Sequence, residues 1–172
     1  KSIIKRISKT KQGVKQDILR DGISSENKKS TPIGDLPDSW GVATVTDVCE
    51  VNPEGFSKED IHGENFDYIS LSDVSEGNII KSQSIPTEEA PSRAQRTIRT
   101  GDVLVGTVRP KQRSHSVVTE EYDSMVCSSG FGVLRPSNKL KSEFLAQEIF
   151  SRRFFRQMEA YVAGSGYPAV KI

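Results

Sequence analysis

The sequence predicts an α+β domain: a twisted, mostly antiparallel sheet, with a coiled-coil-type helix before it and a second helix after it. Three observations point there. Short runs rich in β-branched residues recur through the middle of the chain, each closed by Gly, Pro, Asp or Ser. Near each end, apolar residues recur instead at helical spacing. With 172 residues and 34% hydrophobic content, the chain can bury one ordinary core.

The first twenty residues place Ile4, Ile7, Val14 and Ile18 on one stripe, with Lys11 at the missing step of a 3, 4, 3, 4 spacing. That is the seam of a coiled coil. Ile3 and Leu19 widen it and Asp21-Gly22 supplies a stop, so residues 1–22 are expected to form one helix. So short a helix draws its stability from packing, which makes Ile4, Ile7, Val14 and Ile18 the expected helix or subunit contacts. Residues 23–35 are polar, close on Pro32 and Gly34, and read as a linker.

A folded domain is then expected over 36–163. Leu36-Pro37-Asp38-Ser39-Trp40 leads in, with Trp40 as a core anchor, and the alternating run from Val42 to Val48 reads as a strand. Further strands are expected at 68–71, 78–81, 103–108, 116–119, 125–127 and 132–134. From Ser142 to Ala163 the period changes. Phe144, Leu145, Ile149, Phe150, Phe154 and Met158 form one helical stripe, ended by Gly164-Ser165-Gly166.

A net charge of +1 would argue against nucleic acid if it were evenly spread, because duplex binding rests on Lys and Arg neutralising phosphates. It is not evenly spread. Residues 1–29 hold nine Lys or Arg against three acids, and residues 47–76 hold nine acids against Lys58. Residues 91–115 swing back: Arg93, Arg96, Arg99, Arg109, Lys111 and Arg113 are opposed by Asp102. A basic surface beside an acidic one can orient a protein on DNA.

The chemistry of common enzymes is missing. There is no phosphate-binding P-loop, no third glycine after Gly130-Phe131-Gly132 or Gly164-Ser165-Gly166, and no nucleophile elbow. Pro37-Asp38 is not followed by the E-x-K of a metal-dependent nuclease. His62 and His115 lie more than fifty residues apart without a ligand at metal spacing, and Cys49 and Cys127 form no C-x-x-C pair. No catalytic residue, metal or cofactor is expected. No apolar run reaches membrane-spanning length and the N-terminus lacks a signal-peptide core, so the expectation is a cytoplasmic protein with no membrane partner.

Taken in order, the landmarks resemble the target recognition domain of type I restriction-modification specificity subunits. They are the Leu36–Trp40 entry, Tyr68-Ile69-Ser70-Leu71-Ser72-Asp73, Thr100-Gly101-Asp102-Val103-Leu104-Val105, Ser129-Gly130-Phe131-Gly132-Val133-Leu134-Arg135-Pro136, and the late helix with Gly164-Ser165. Residues 1–22, with Val14-Lys15-Gln16-Asp17-Ile18-Leu19, are similar to the end of the family's conserved helical spacer, and 164–172 to the start of the next conserved region. The resemblance runs from the first helix to Val170. The family joins two recognition domains by two long helices, so this chain is expected to be half a subunit or a fragment.

The resemblance implies sequence-specific recognition of double-stranded DNA without chemistry, in company with methyltransferase and restriction subunits. A homodimer through the first helix would replace its missing partner helix. For base reading the residue types favour Arg109, Lys111, Gln112, Arg113, Ser114 and His115, because Arg bonds guanine bidentately and Gln bonds adenine. Arg93, Arg96 and Arg99 are expected on phosphates, and Ser92 and Gln95 near bases. The alternative is a protein-interaction module whose basic helix binds a partner coiled coil and whose sheet reads no nucleic acid.

Overall fold

The computed structural model describes residues 27–61 and 63–163, together with Gly13, Val14, Asp17, Ile18, Ala169 and Val170. Strands β1 (Lys28–Thr31) and β2 (Gly34–Pro37) form a hairpin inside the stretch expected as linker and domain entry. A single helical turn, α1 (Val45–Val48), leads into β3 (Cys49–Val51). Next come β4 (Asn65–Ile69), the small hairpin β5 (Val74–Ser75) and β6 (Asn78–Ile79), and β7 (Gln83–Pro86). Then follow β8 (Ala94–Thr97), β9 (Val103–Gly106), β10 (His115–Val117), β11 (Val126–Ser128) and β12 (Phe131–Pro136). Helices α2 (Ser142–Ile149) and α3 (Arg152–Ala160) close the domain, and β13 (Val162–Ala163) pairs with β14 (Ala169–Val170).

Two four-stranded sheets stack. One has the order β10-β9-β12-β3 and is antiparallel throughout. The other has the order β7-β4-β11-β8, with β4 and β11 parallel and its other pairs antiparallel. Ile69, Ile98, Leu104, Cys127, Phe131 and Val133 fill the space between them. On the outer face of the first sheet, Cys49, Val103, Val105 and Leu134 meet Leu145 and Ile149 of α2 and Met158 of α3. Strand β9 therefore alternates within a continuous apolar run: Leu104 faces the other sheet, Val103 and Val105 face the helices, and all three are buried. A strand covered on both faces reads this way. Tyr68, Ala94 and Val126 pack with Phe56 and Phe66 in a third, smaller cluster.

This is the α+β, mostly antiparallel architecture that the sequence predicts, with corrections inside it. The run from Val42 to Val48 is not a strand, because the Asp47 carboxylate accepts hydrogen bonds from the Thr44 backbone N–H and hydroxyl, both at 2.7 Å, and this reciprocal cap starts a helical turn. The stretch expected as one helix, Ser142 to Ala163, is two helices ending at Ala160, followed by β13. Ser151 breaks it by accepting a hydrogen bond from the Phe154 N–H at 3.0 Å, which begins a second helix on a new axis. Strands β7 and β8 had no sequence signal: both are polar and border their sheet. Trp40 is only half-buried, and Leu36 takes the core position in that entry.

Of the expected first helix, Ile4 and Ile7 lie outside the described residues. Gly13, Val14, Asp17 and Ile18 are helical, and Val14 and Ile18 are exposed. No helix among the described residues is long and apolar enough to cross a membrane.

The Gly101-Asp102 pair opens β9. Gly101 adopts a left-handed φ of +88°, which turns the chain without a side-chain clash. Asp102, 1% exposed, accepts both prongs of the Arg135 guanidinium, at 2.8 and 2.9 Å, and the Arg99 N–H at 2.9 Å. Removing one partner of such a buried pair strands the other charge. Arg135→Met is expected to cost roughly 3–5 kcal/mol of stability, read as a lower urea midpoint with an unchanged slope.

Candidate nucleic-acid interface

Strand direction gathers several turns at one edge. The parallel pairing of β4 with β11 brings their C-terminal ends together, so the turns after Ile69 and Ser128 are neighbours. Gly106, ending β9, lies opposite Phe131, beginning β12, and Ala94, beginning β8, lies opposite Ser128. Hydrogen bonds tie this rim. The Ser129 N–H donates to the Arg93 carbonyl at 2.7 Å, and both the N–H and the hydroxyl of Thr107 donate to the Gly130 carbonyl at 2.9 Å. Leu71 packs against Gly106 and Gly130.

From this rim rises the loop between β9 and β10. Gly106 is required at its root, because a β-carbon there would stand 2.7 Å from the Ser114 carbonyl oxygen. A 3-10 turn, Pro110–Gln112, forms the tip, and the residues that bracket it, Arg109 (φ 51°) and Arg113 (φ 50°), are both left-handed. Non-glycine residues held in this region store strain of about 1–3 kcal/mol and concentrate at ligand-binding sites. The turn packs on α3, with the Arg113 guanidinium 4.8 Å from the centre of the Phe155 ring.

The base-reading candidates separate into two groups. Arg109, Lys111, Gln112 and Arg113 are exposed on the loop. Ser114 and His115 are buried, at 7% and 1% exposure, so neither presents a side chain to a duplex. The physical reason is the β9–β10 pairing, which draws the end of the loop into the core: His115 Nδ1 accepts the Gly106 N–H at 3.1 Å and its ring meets Phe150 edge-on at 5.4 Å. Burial, reinforced by the nearby Arg113 charge, pushes the His115 pKa down to about 4.

The phosphate candidates divide as well. Arg93 is exposed on the rim, and Ser92 and Gln95 are exposed beside it, with Gln95 bonded to the Ser92 carbonyl. Arg96 is half-buried and donates to the Ser129 carbonyl at 3.3 Å, so it holds the turn. Arg99 stands beyond the other end of β8. It pairs with Glu54 at 3.0 Å and donates to the Ser124 hydroxyl at 2.6 Å. The Arg99 and Arg135 guanidinium groups together hold the Glu54 carboxyl below the usual carboxylate range.

Further charged residues, to which the sequence pattern gives no site role, lie nearby. Asp73, 1% exposed, accepts the Ser70 N–H and hydroxyl and the Gln83 amide, and Lys81 approaches it at 3.7 Å. Burial acts to raise its pKa, but these donors outweigh it and hold the carboxyl low. Arg152 and Arg156 add exposed positive charge on α3. Their run with Arg153 was visible in the sequence, but the apolar stripe of the same segment drew the reading to the core. Among the described residues, no group of three or more His, Cys, Asp or Glu is placed to hold a metal ion, and His62 lies outside them.

No protein-family model matches the chain, and no curated protein sequence does. Solved structures do match. A chain from a structure described as the basis of complex assembly and conformational transition in the type I R-M system shares 31% identity at a TM-score of 0.67, covering 78% of this chain and 35% of that one. The HsdS subunit from Thermoanaerobacter tengcongensis shares 30% identity at a TM-score of 0.69, covering 79% and 36%. The described domain is thus similar in fold to about a third of an HsdS subunit and of a chain from a type I R-M system. Its particular likeness is to HsdS, of which it spans about a third.

The His115 site makes a pH prediction. Its folded pKa, about 4, lies below the unfolded value of 6.5, so the unfolded chain binds the extra proton between them and stability falls as pH falls through that window. The stability carried by neutral His115 is complete above pH 6.5. Its loss toward pH 4 is about 3 kcal/mol. Urea midpoints measured from pH 7 to 4.5 are expected to fall less steeply for His115→Gln than for the parent chain.

Proposed function

We propose that this chain reads one half of a split DNA target for a type I restriction-modification assembly and does no chemistry itself. The observation that carries the reading is the convergence of Lys111, Gln112, Arg113 and Arg93, all exposed, on one rim of a specificity-subunit fold. Arg113 and Gln112 have the donors and acceptors to read base edges, with Lys111 and Arg109 beside them. Arg93 is proposed on a phosphate, where charge sets position without reading sequence. Arg96 and Arg99 act instead within the fold.

In this reading, residues 36–163 are the reading domain and residues 1–22 a spacer helix. At about 1.5 Å per residue such a helix measures the distance to a second half-site. Val14 and Ile18, four residues apart and exposed, support a helix-to-helix contact there, with a second copy or a second spacer. Methyltransferase subunits would modify the site selected, and a restriction subunit would join for cleavage.

The test is selection of bound duplexes from a random pool, followed by fluorescence anisotropy at several salt concentrations. Recovery of a base pattern with salt-dependent affinity is the expected result. Recovery of unenriched sequences would leave a protein-interaction module in its place. Within a positive result, Arg113→Ala is expected to cost roughly 1–3 kcal/mol on the selected duplex and to relax one base position. Arg93→Ala is expected to weaken all duplexes alike and to lower the salt slope by about one.

A further inference from the structure

The reading loop does not set its own shape. Its first end is fixed at the rim by Thr107 on Gly130, and its last end by His115 in the core. Between them, Pro110–Gln112 makes one tight turn whose flanking residues, Arg109 and Arg113, are both in left-handed backbone that their side chains disfavour. Such a conformation persists only when neighbours over-determine it. The neighbour here is the helical pair. Phe150, at the junction of α2 and α3, meets His115, and Phe155 of α3 lies under the Arg113 guanidinium within the range of a cation–π contact. Among the described residues, no carboxylate pairs with Arg113.

We infer that Phe155 is a positioning residue for sequence discrimination: its ring fixes the Arg113 side chain and the turn that carries it, without touching DNA. This deepens the DNA-reading proposal and rests on it. An unrestrained arginine loses rotamer freedom when it forms a base contact, whereas one already held against an aromatic face loses less. The benefit falls on the duplex whose base matches that fixed position. Any duplex can attract the charge of Arg113, so removing the ring leaves charge-driven binding in place.

The experiment uses the full chain with Phe155→Leu, which keeps an apolar side chain and removes the ring, and Phe155→Tyr, which keeps the ring. Two readouts are taken: the affinity ratio between the selected and a scrambled duplex across salt concentrations, and amide hydrogen exchange of residues 107–115 without DNA. Phe155→Leu is expected to lower the ratio by about three- to fivefold, with the scrambled-duplex affinity and salt slope unchanged. Its loop amides are expected to exchange faster while those of β9, β11 and β12 do not. Phe155→Tyr should behave as the parent in both readouts.

Equal loss on both duplexes, or parental exchange in the loop of Phe155→Leu, overturns the inference. A parent chain that does not distinguish the duplexes overturns the DNA-reading proposal instead. The exchange readout then still decides whether Phe155 holds the loop. If Phe155→Leu speeds exchange throughout the core, its effect is general destabilisation and the positioning role falls.

Discussion

The interaction on which the rest of the domain depends is the pairing of buried Asp102 with Arg135. A carboxylate almost wholly removed from water must be matched by donors, since an uncompensated buried charge costs several kcal/mol. Two guanidinium prongs and one backbone N–H supply them. Arg135 then extends the match to Glu54, and Arg99 completes it from the other side. Glu54 belongs to a strip that pairs with β8 of the second sheet, through the Phe56 N–H on the Gln95 carbonyl and the Thr97 N–H on the Glu54 carbonyl. The network therefore joins the two sheets across their edge as well as capping the start of β9.

Fixing one edge by charge has a consequence for the other. Strand β9 runs from Val103, next to Asp102, to Gly106, and β12 from Phe131 past Arg135 to Pro136, so the ion network and the candidate rim lie at opposite ends of the same two strands. The basic stretch 91–115 is split between them. Arg99 is neutralised by the acidic segment, through Glu54. Arg93, Lys111 and Arg113 stand at the other end, exposed to solvent. A local excess of positive charge in the sequence thus becomes a polarity of the fold, with neutralised cations where the sheets are locked and solvated ones where the turns gather.

Much of the fold was legible because burial on both faces leaves a signal. The runs at 103–108 and 132–134 and the apolar stripe after Ser142 marked β9, β12 and the helical layer. What failed were the places where a side chain competes with the local pattern. Asp47 turned an alternating run into a helical turn, and Ser151 cut one stripe into two helices. The site was legible as a region rather than residue by residue. Residue type nominated the loop from Arg109 to His115, but the β9–β10 register, which buries Ser114 and His115, is a non-local fact. Arg96 and Arg99 look like Arg93 in sequence and differ only in what the second sheet and the Glu54 strip bring beside them.

The anatomy of the loop separates the residues that hold it from those it presents. Its roots are fixed by groups that also serve the core: Gly106 admits the Ser114 carbonyl, Thr107 binds Gly130, and His115 fills space between Gly106 and Phe150. Its tip is fixed by backbone conformation and by one aromatic face. Lys111 and Gln112 are exposed within that tip, so exchanging their side chains costs little burial. Changes at the roots would disturb sheet pairing, whereas changes at the tip alter mainly what is presented to a partner. A domain built in this way can revise what its loop presents without revising how it folds, provided the helix beneath the tip keeps its ring.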